Sequence, residues 1–165
     1  MARTVVEPSR LEAPPSERLV DPRGLRFAAS VTVVVLAVVL LTGSGWLLAV
    51  QAVVFAVGAF AGLRYSPYSF AFRKLVAPRL GVPSHREPET PPRFAQGLGF
   101  AFAAVGVIGY AAGAGWVGFV ATALAWVAAF LNAAFGFCLG CETYLLIRRI
   151  LPIHSVSQTA KGVTA

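Results

Sequence analysis

The chain has 165 residues, of which 57% are hydrophobic and only 13% charged, with a formal net charge of +7 and a mean hydropathy of +0.72. A soluble domain carries roughly a quarter charged residues. Uncharged runs as long as those seen here cannot be buried in so small a water-soluble fold, so a lipid bilayer is the expected solvent. The basic residues stand at the ends of apolar runs and not on one face among aromatic residues, which argues against nucleic-acid binding.

The two ends of the chain differ in composition from its middle. Residues 1–22 combine prolines with charges of both signs and are predicted to be a disordered cytoplasmic tail. The length of this segment, and the lack of a small-residue cleavage site after the first apolar run, indicate an uncleaved first helix and not a signal peptide. Residues 23–152 are predicted to form a membrane domain, and residues 153–165 a flexible C-terminal tail.

Four apolar runs lie within the predicted membrane domain. Each is near the roughly 20 residues that a helix needs to cross the hydrocarbon core. In lipid every backbone group must pair within its own segment, so helix is expected even where valine is abundant. The runs cover residues 27–42, 46–63, 94–112 and 116–137. We therefore predict an all-α, polytopic membrane protein with four transmembrane helices arranged as two tandem helical hairpins.

All 14 Lys and Arg residues fall on one side of the four predicted helices. They lie before the first run, between the second and third, and after the fourth, whereas the two Gly-rich turns within the hairpins carry no charge. The positive-inside rule makes the charged side the cytoplasm. We therefore predict a multi-pass inner-membrane protein with both termini in the cytoplasm and with Trp46 and Trp116 at the far interface.

The two predicted hairpins resemble each other in sequence. Each opens with Arg-Phe-Ala, at residues 26–28 and 93–95, and each turns at Gly-Ser-Gly-Trp or Gly-Ala-Gly-Trp. Beyond the second turn, an offset of 74 residues aligns Gly62 with Gly136, Pro67 with Cys141, Lys74 with Arg148, and Pro78 with Pro152.

This pattern predicts two repeats, over about residues 26–80 and 93–152. Each repeat ends in a short amphipathic cytoplasmic helix, at 68–80 and 142–151, whose basic residues are expected to contact anionic lipid head groups. The repeats would be related by an axis along the membrane normal. Hairpins of small residues in lipid also look alike without duplication, and that alternative stays open.

The most distinctive motif is Cys138-Leu139-Gly140-Cys141, at the end of the fourth run. Residues three apart on a helix share one face, with Cβ atoms about 5–6 Å apart, which is within reach of a disulfide after modest adjustment. Gly136 and Gly140 favour a helix break and restart here, and the positive end of a new helix would stabilise a thiolate. Arg64, the repeat equivalent of Cys138, is expected to approach across the pseudo-twofold axis and to stabilise the thiolate further.

Three interpretations of the cysteine pair stay open. The cysteines carry redox or sulfur-transfer chemistry, or they fill space as small apolar residues, or they supply half of a zinc site. Glu142 disfavours negative charge on its neighbour. His85 and His154 lie in segments expected to be mobile, so neither a metal site nor a cofactor is predicted. A permanent structural disulfide is not expected in the reducing cytoplasm.

Polar residues and glycines inside the runs have more ordinary interpretations. We expect Gln51, Thr122 and Asn132 to form interhelical hydrogen bonds, with Gln51 and Asn132 alternatively lining a polar pathway. Glycines at helical spacing, at residues 58 and 62 and at 109 and 113, are expected to allow close helix packing. The sequence has no Walker, HExxH or nucleophile-elbow motif, so nothing supports a nucleotide-driven pump or a hydrolase.

Two short stretches carry a family resemblance. Residues 21–29 read Asp-Pro-Arg-Gly-Leu-Arg-Phe-Ala-Ala ahead of the first run, and residues 135–141 read Phe-Gly-Phe-Cys-Leu-Gly-Cys at the end of the fourth. With the four-run layout, they make the chain resemble the bacterial membrane family called domain of unknown function 4395, over about residues 20–152. That family has no established biochemical activity. The resemblance implies that Cys138 and Cys141 correspond to the family's Cys-x-x-Cys pair. Family genes often neighbour thioredoxin-like or sulfurtransferase genes, which implies a partner of that kind.

The leading hypothesis is a membrane-bound thiol protein. Cys138 would attack and Cys141 would resolve, and the pair would exchange electrons or sulfane sulfur with a cytoplasmic thioredoxin-like or sulfurtransferase partner. The alternatives are a transporter or channel for a small, possibly sulfur-containing solute, and a structural membrane subunit. Whether the protein is an enzyme, and whether it forms a homo-oligomer, the sequence leaves open.

Overall fold

The computed structural model describes residues 18–83 and 85–150, and most of them are helical. Most of the tail predicted over 1–22, and all of the tail predicted over 153–165, lie outside the described residues. Leu19–Val20 form a short strand, β1, which pairs antiparallel with Glu87–Pro88, β2. The end of the segment predicted to be disordered is therefore held by backbone hydrogen bonds to a distant part of the chain.

The first long helix, α1, covers Pro22–Thr42 and begins and ends at residues suited to those positions. The Asp21 carboxylate accepts a hydrogen bond from the Arg23 N–H at 2.9 Å and caps the first turn. Gly43 adopts a left-handed conformation, with φ of +65°, and ends the helix. The Ser44 hydroxyl then accepts the Leu47 N–H at 3.3 Å and starts the next helix. The turn predicted between the first two runs is confirmed.

The second long helix, α2, covers Gly45–Ala56 and continues as a π-helical turn over Val57–Ala61. After a 3₁₀ turn over Leu63–Tyr65, the chain forms one nearly continuous short helix. This helix consists of α3 (Pro67–Ala71), a π-helical turn (Phe72–Val76) and α4 (Ala77–Leu80). A helix predicted over 68–80 is therefore present.

The second half of the chain repeats this order. Its two long helices are α5 (Thr90–Ala111) and α6 (Gly115–Phe135), separated by a turn in which Gly113 has a φ of +75°. A short helix follows, α7 (Leu139–Ile150), which begins three residues before the amphipathic segment predicted from residue 142.

Three helices, α1, α5 and α6, are long and apolar enough to cross a membrane. The remaining predicted span, the second in chain order, is also an apolar helix, but its unbroken part, Gly45–Ala61, has only 17 residues. The all-α fold is therefore confirmed, and three of the four predicted spans have the length and composition of membrane-spanning helices.

The long helices pack mainly across the two halves of the chain. Helix α1 lies against α6, and α2 lies against α5, whereas α1 and α2 contact each other much less. Helices α5 and α6 also pack closely, because a Cβ atom on Gly109 would come within 2.7 Å of the Gly118 nitrogen. The fully buried core side chains include Leu36 and Leu48.

Two of the four glycines predicted to allow close packing have that role. A Cβ atom on Gly58 would come within 3.0 Å of the Gln96 side chain, and Gly109 contacts α6 as described. Gly62 and Gly113 instead have positive φ angles of +110° and +75° and end helices. Spacing alone could not separate the two roles.

Helices α1 and α5 begin at one end of the bundle, and α2 and α6 end there. All Lys and Arg residues of the described chain lie at this end, which we call the basic end. The opposite end carries the two Gly-rich turns, with Trp46 and Trp116 beside them, 84% and 74% exposed.

Candidate functional site

The cysteine pair lies where α6 gives way to α7. Gly136 ends α6 with a φ of +70°, and its N–H donates to the Asn132 carbonyl at 3.0 Å. Helix α7 then begins at Leu139. The predicted helix restart is confirmed, and Gly136 alone produces the break.

Cys138 occupies the N-cap position of α7. Its carbonyl accepts the Glu142 N–H at 3.0 Å, and its sulfur accepts the Cys141 N–H at 3.3 Å. The two cysteines form a disulfide, with their Cα atoms 5.2 Å apart, inside the usual range for a bridged pair. Both side chains are half-buried. The Cys138 sulfur therefore lies at the positive end of the α7 dipole, where a thiolate is stabilised.

Gly140 fixes the position of this turn against α5. A Cβ atom on Gly140 would lie 2.6 Å from both the Cα and the Cβ of Ala95. One turn further along α7, the Tyr144 ring packs on Phe94 with centroids 5.6 Å apart. Gly140 was expected to break the helix, but the structure shows that it allows α7 to approach α5.

Both cysteines line a cavity of about 810 Å³ between α1, α5 and α6. At the basic end its lining includes Arg23, Arg26 and Glu87. Three uncharged polar residues of the long helices also line it, namely Thr32, Gln96 and Asn132. Its other walls are mostly apolar, with side chains such as those of Phe55, Phe102 and Leu124. The two cysteines therefore border a partly open cavity between the long helices.

Arg64 lies elsewhere. Its guanidinium donates to the hydroxyl of Tyr65 and lies 4.3 Å from the centroid of that ring. This hydrogen bond and the positive charge of Arg64 lower the pKa of Tyr65 below its ordinary value. Arg64 lines a second, smaller cavity and not the one that the cysteines line. The role predicted for Arg64 as a thiolate stabiliser stays a prediction, and the arginines that line the same cavity as the cysteines are Arg23 and Arg26.

Arg26 and Arg93 make reciprocal contacts that the sequence analysis missed. Arg26 donates to the Ala133 and Ala134 carbonyls near the end of α6, at 3.3 and 3.5 Å. Arg93 donates to the Ala59 carbonyl at 3.1 and 2.9 Å, and to the next carbonyl at 3.2 Å. The offset of 74 residues aligns 59 and 60 with 133 and 134. The arginine that opens each half thus binds the last carbonyls of the second long helix of the other half, which lack partners within their own helix.

The polar residues of the long helices have mixed outcomes. Gln51 is 1% exposed, and its side-chain oxygen accepts an interhelical hydrogen bond from the Tyr68 hydroxyl at 2.5 Å. Thr122 donates at 2.7 Å to the Gly118 carbonyl of its own helix, so the interhelical prediction for Thr122 was wrong. A threonine hydroxyl in a helix reaches the carbonyl four residues back without any neighbour. Asn132 lines the large cavity.

Metal ligands are not grouped in the part of the chain that the structure describes. Across residues 18–83 and 85–150, no three His, Cys, Asp or Glu side chains lie close enough to hold a metal ion. His85 lies 3.4 Å from Glu87, while His154 falls outside the described residues.

The fold and this site define a class: an all-α bundle with membrane-length apolar helices and a bonded cysteine pair at its basic end. The chain belongs to the family described as domain of unknown function (DUF4395), whose family model matches residues 20–149. The resemblance stated from the sequence is thereby confirmed. The chain matches no curated protein and no solved structure.

Proposed function

We propose that the chain is a four-span protein of the bacterial inner membrane, with its basic end in the cytoplasm, and that Cys138 and Cys141 exchange electrons or sulfane sulfur there. One observation carries the proposal. The two sulfur atoms are bonded to each other at the start of α7, half-buried, on the wall of a cavity at the basic end.

The four-span arrangement is supported by the path of the 17-residue helix Gly45–Ala61. It starts at Ser44, beside the uncharged turns, and the carbonyl of Ala59 near its end is bound by Arg93 at the start of α5. At 1.5 Å per residue, Gly45–Ala61 is about 25 Å long, a few ångströms less than the hydrocarbon core. A helix this short can be accommodated by local thinning of the bilayer. The confinement of Lys and Arg to one end supports the orientation.

The chemistry proposed for the pair is thiol–disulfide exchange. The Cys138 thiolate attacks a disulfide sulfur of a thioredoxin-like partner, forms a mixed disulfide and releases one partner thiolate. The Cys141 thiolate then attacks the Cys138 sulfur, closes the internal disulfide and releases the second partner thiolate. Two electrons pass to the partner, which takes up two protons from water.

Sulfane-sulfur transfer uses the same two groups. The Cys138 thiolate attacks the terminal sulfur of a persulfide on a sulfurtransferase partner, forms a Cys138 persulfide and releases the partner thiolate. Attack of Cys141 on the Cys138 sulfur then forms the disulfide and releases hydrosulfide. The Cys141 N–H that the Cys138 sulfur accepts favours Cys138 as the attacking thiolate.

The test uses the full chain, reduced in neutral detergent and mixed with an oxidised thioredoxin-like protein. We expect the wild type to form the Cys138–Cys141 disulfide, and Cys141→Ser to accumulate a mixed disulfide through Cys138. Cys138→Ser is the control, because it keeps one thiol but lacks the attacking one. If Cys141→Ser and Cys138→Ser trap the partner equally slowly, or the wild type forms no disulfide, the proposal fails.

The large cavity favours a second candidate function, passage of a small solute. Thr32, Gln96 and Asn132 place polar groups along an otherwise apolar route between the two halves. Flux of small thiols and sulfur oxyanions into proteoliposomes would be lowered by Asn132→Leu and retained in the Cys138→Ser/Cys141→Ser double variant. The thiol proposal predicts that disulfide formation is retained in Asn132→Leu and lost in the Cys138→Ser/Cys141→Ser double variant.

A further inference from the structure

A second cavity, of about 280 Å³, lies at the basic end, separate from the one that the cysteines line. Its walls come from β1, the start of α1, the 3₁₀ turn after α2, the α3–α4 helix and the loop before β2. Three of its lining residues are arginines from well-separated positions, namely Arg64, Arg73 and Arg86. The fold therefore brings three exposed arginines to the lining of one partly open cavity.

The charge of this space is not balanced from within. Among the residues that the structure describes, its lining holds three arginines and one acidic residue, Asp21, which leaves a net charge of +2. The Asp21 carboxylate already accepts the Arg23 N–H and caps α1. The first turn of α1, which also lines the cavity through Gly24, presents the positive end of its dipole. Of the five N–H donors that a guanidinium carries, Arg64 directs one to Tyr65.

The floor of the cavity is apolar. Leu63 and Phe72 line it and are each only 4% exposed, and Leu25 lies beside them. Just outside, Leu75 and Val82 are 61% and 89% exposed at the end of the bundle where the proposed cytoplasmic interface lies. A ligand with a negative head and an apolar body would satisfy both surfaces.

We propose that this cavity binds a phosphate group. Guanidinium groups form paired, charge-assisted hydrogen bonds with phosphate oxygens, and three arginines in the lining of one cavity favour a phosphate over a cation or a single carboxylate. The phosphate comes from the head group of an anionic lipid or from inorganic phosphate in solution. The site does not depend on the cysteine chemistry, because neither Cys138 nor Cys141 lines it, although Leu25 lines both cavities.

Native mass spectrometry of the full chain in neutral detergent tests the site. We expect phosphatidylglycerol to bind about tenfold more tightly than a galactosyl diacylglycerol, which has similar chains but no phosphate. The Arg73→Gln/Arg86→Gln double variant should lose this preference. The comparison variant is Arg148→Gln/Arg149→Gln, which removes the same charge from α7, outside the cavity. These arginines are expected to contact head groups only at the exposed surface, so their loss should lower the preference by no more than about twofold.

Equal losses in the two double variants would show only a general effect of charge and would overturn the proposal. No preference for phosphatidylglycerol in the wild type, together with no effect of inorganic phosphate, would also overturn it. Should the double variant unfold, the single variants Arg73→Gln and Arg86→Gln must each weaken phosphatidylglycerol binding by about threefold.

The two sources of phosphate are separated by thermal unfolding. Inorganic phosphate at millimolar concentration stabilises the wild type, and not the double variant, if the site takes the free ion. If the site takes lipid, only phosphatidylglycerol gives that pattern. Stabilisation of both proteins to the same extent by either probe contradicts a site at these arginines.

Discussion

The two halves of the molecule use the same break after their second long helix in different ways. In the first half, Gly62 is followed by Leu63, which is 4% exposed and whose N–H donates to the Glu89 carboxylate at 2.9 Å. In the second half, Gly136 and Phe137 are exposed, and the half-buried Cys138 caps the next helix. One break is held by a buried hydrogen bond, and the other leaves its sulfur atoms at a cavity wall. A change in conformation at Cys138 would therefore leave the hydrogen bond between Leu63 and Glu89 intact.

The largest expected effect on stability comes from removing the shorter of the two arginine contacts that lie beside these breaks. Arg93→Ala leaves two carbonyls near the end of α2 without their charged donor and should lower the free energy of unfolding by roughly 3 kcal/mol. Arg26→Ala should cost less, since its bonds are longer and its side chain is exposed. Denaturant unfolding in detergent measures both.

Arg79→Ala is the matched control for that experiment. Arg79 is an exposed arginine at the same end. Within the described part of the chain, its side chain bonds to Leu75 of its own short helix, so its loss should change stability by less than about 0.5 kcal/mol. An equal effect of Arg79→Ala and Arg93→Ala would mean that the contact across the halves contributes nothing specific.

The next largest effect concerns Gly140 and Ser66, which the repeat aligns but which have different surroundings. Ser66 carries a buried side chain, whereas a side chain at Gly140 would collide with Ala95. Gly140→Ala should destabilise the fold by roughly 2 kcal/mol. Gly97→Ala, in the interior of α5 with open space around it, should be neutral or slightly stabilising. Thermal unfolding of both variants decides; similar midpoints would refute the tight contact of α7 with α5.

A smaller effect concerns a polar contact found only in the first half, where Tyr68 donates to Gln51; the repeat places Glu142 and Ala125 at those positions. Tyr68→Phe should cost about 1 kcal/mol, because it leaves the Gln51 oxygen unpaired. Adding Gln51→Leu should recover most of that loss, since both polar partners are then gone. Unfolding of the single and double variants measures this, and an unchanged single variant would contradict the contact.

The same contact gives a pH dependence. Burial raises the pKa of Tyr68 above its ordinary value near 10. Stability from a raised pKa is complete below the unfolded value and declines as the pH rises through the folded one. Wild-type stability should therefore fall more steeply above pH 10 than that of Tyr68→Phe. Parallel curves would indicate that Tyr68 is not buried.

The smallest expected effect distinguishes Arg26, which lines the same cavity as the cysteines, from Arg64, which was predicted to stabilise the thiolate. Arg26→Gln should slow alkylation of reduced Cys138 at neutral pH by about twofold, because Arg26 lines the same cavity. Arg64→Gln should leave the rate unchanged, since Arg64 lines the other cavity. Mass-tagging over time gives both rates. A slower reaction in Arg64→Gln alone would restore the role predicted for Arg64 from the repeat.

Hydropathy and turn residues sufficed to predict much of the fold. The bounds of α1 follow from Asp21 and Gly43, and the restart at Leu139 follows from Gly136, because capping and left-handed glycines act within one helical turn. The partner of each helix could not be predicted in this way. Sequence adjacency suggests that α1 packs mainly on α2, whereas its main neighbour is α6.

The proximity of the two cysteines was predicted from the sequence, but the residues around them were not. Cys138 and Cys141 are bonded as their spacing allows. From the sequence, Arg26 could not be distinguished from other basic residues at the interface. The positive-inside rule predicts the side of the membrane and not the hydrogen-bond acceptor of a given arginine. The signal was present in the Arg-Phe-Ala sequence that opens both halves. Its meaning depends on carbonyls more than 100 residues away, at Ala133 and Ala134.

The exchange of arginines between the halves has a consequence for how such a chain is assembled. Neither pair of long helices holds the donor that its own last carbonyls use, so either pair made alone would carry unsatisfied backbone into lipid. If the repeat reflects gene duplication, the ancestral single-hairpin polypeptide would have required a second copy of itself, and fusion made that association permanent. Split versions of this gene should accordingly yield membrane-stable product only when both fragments are expressed together.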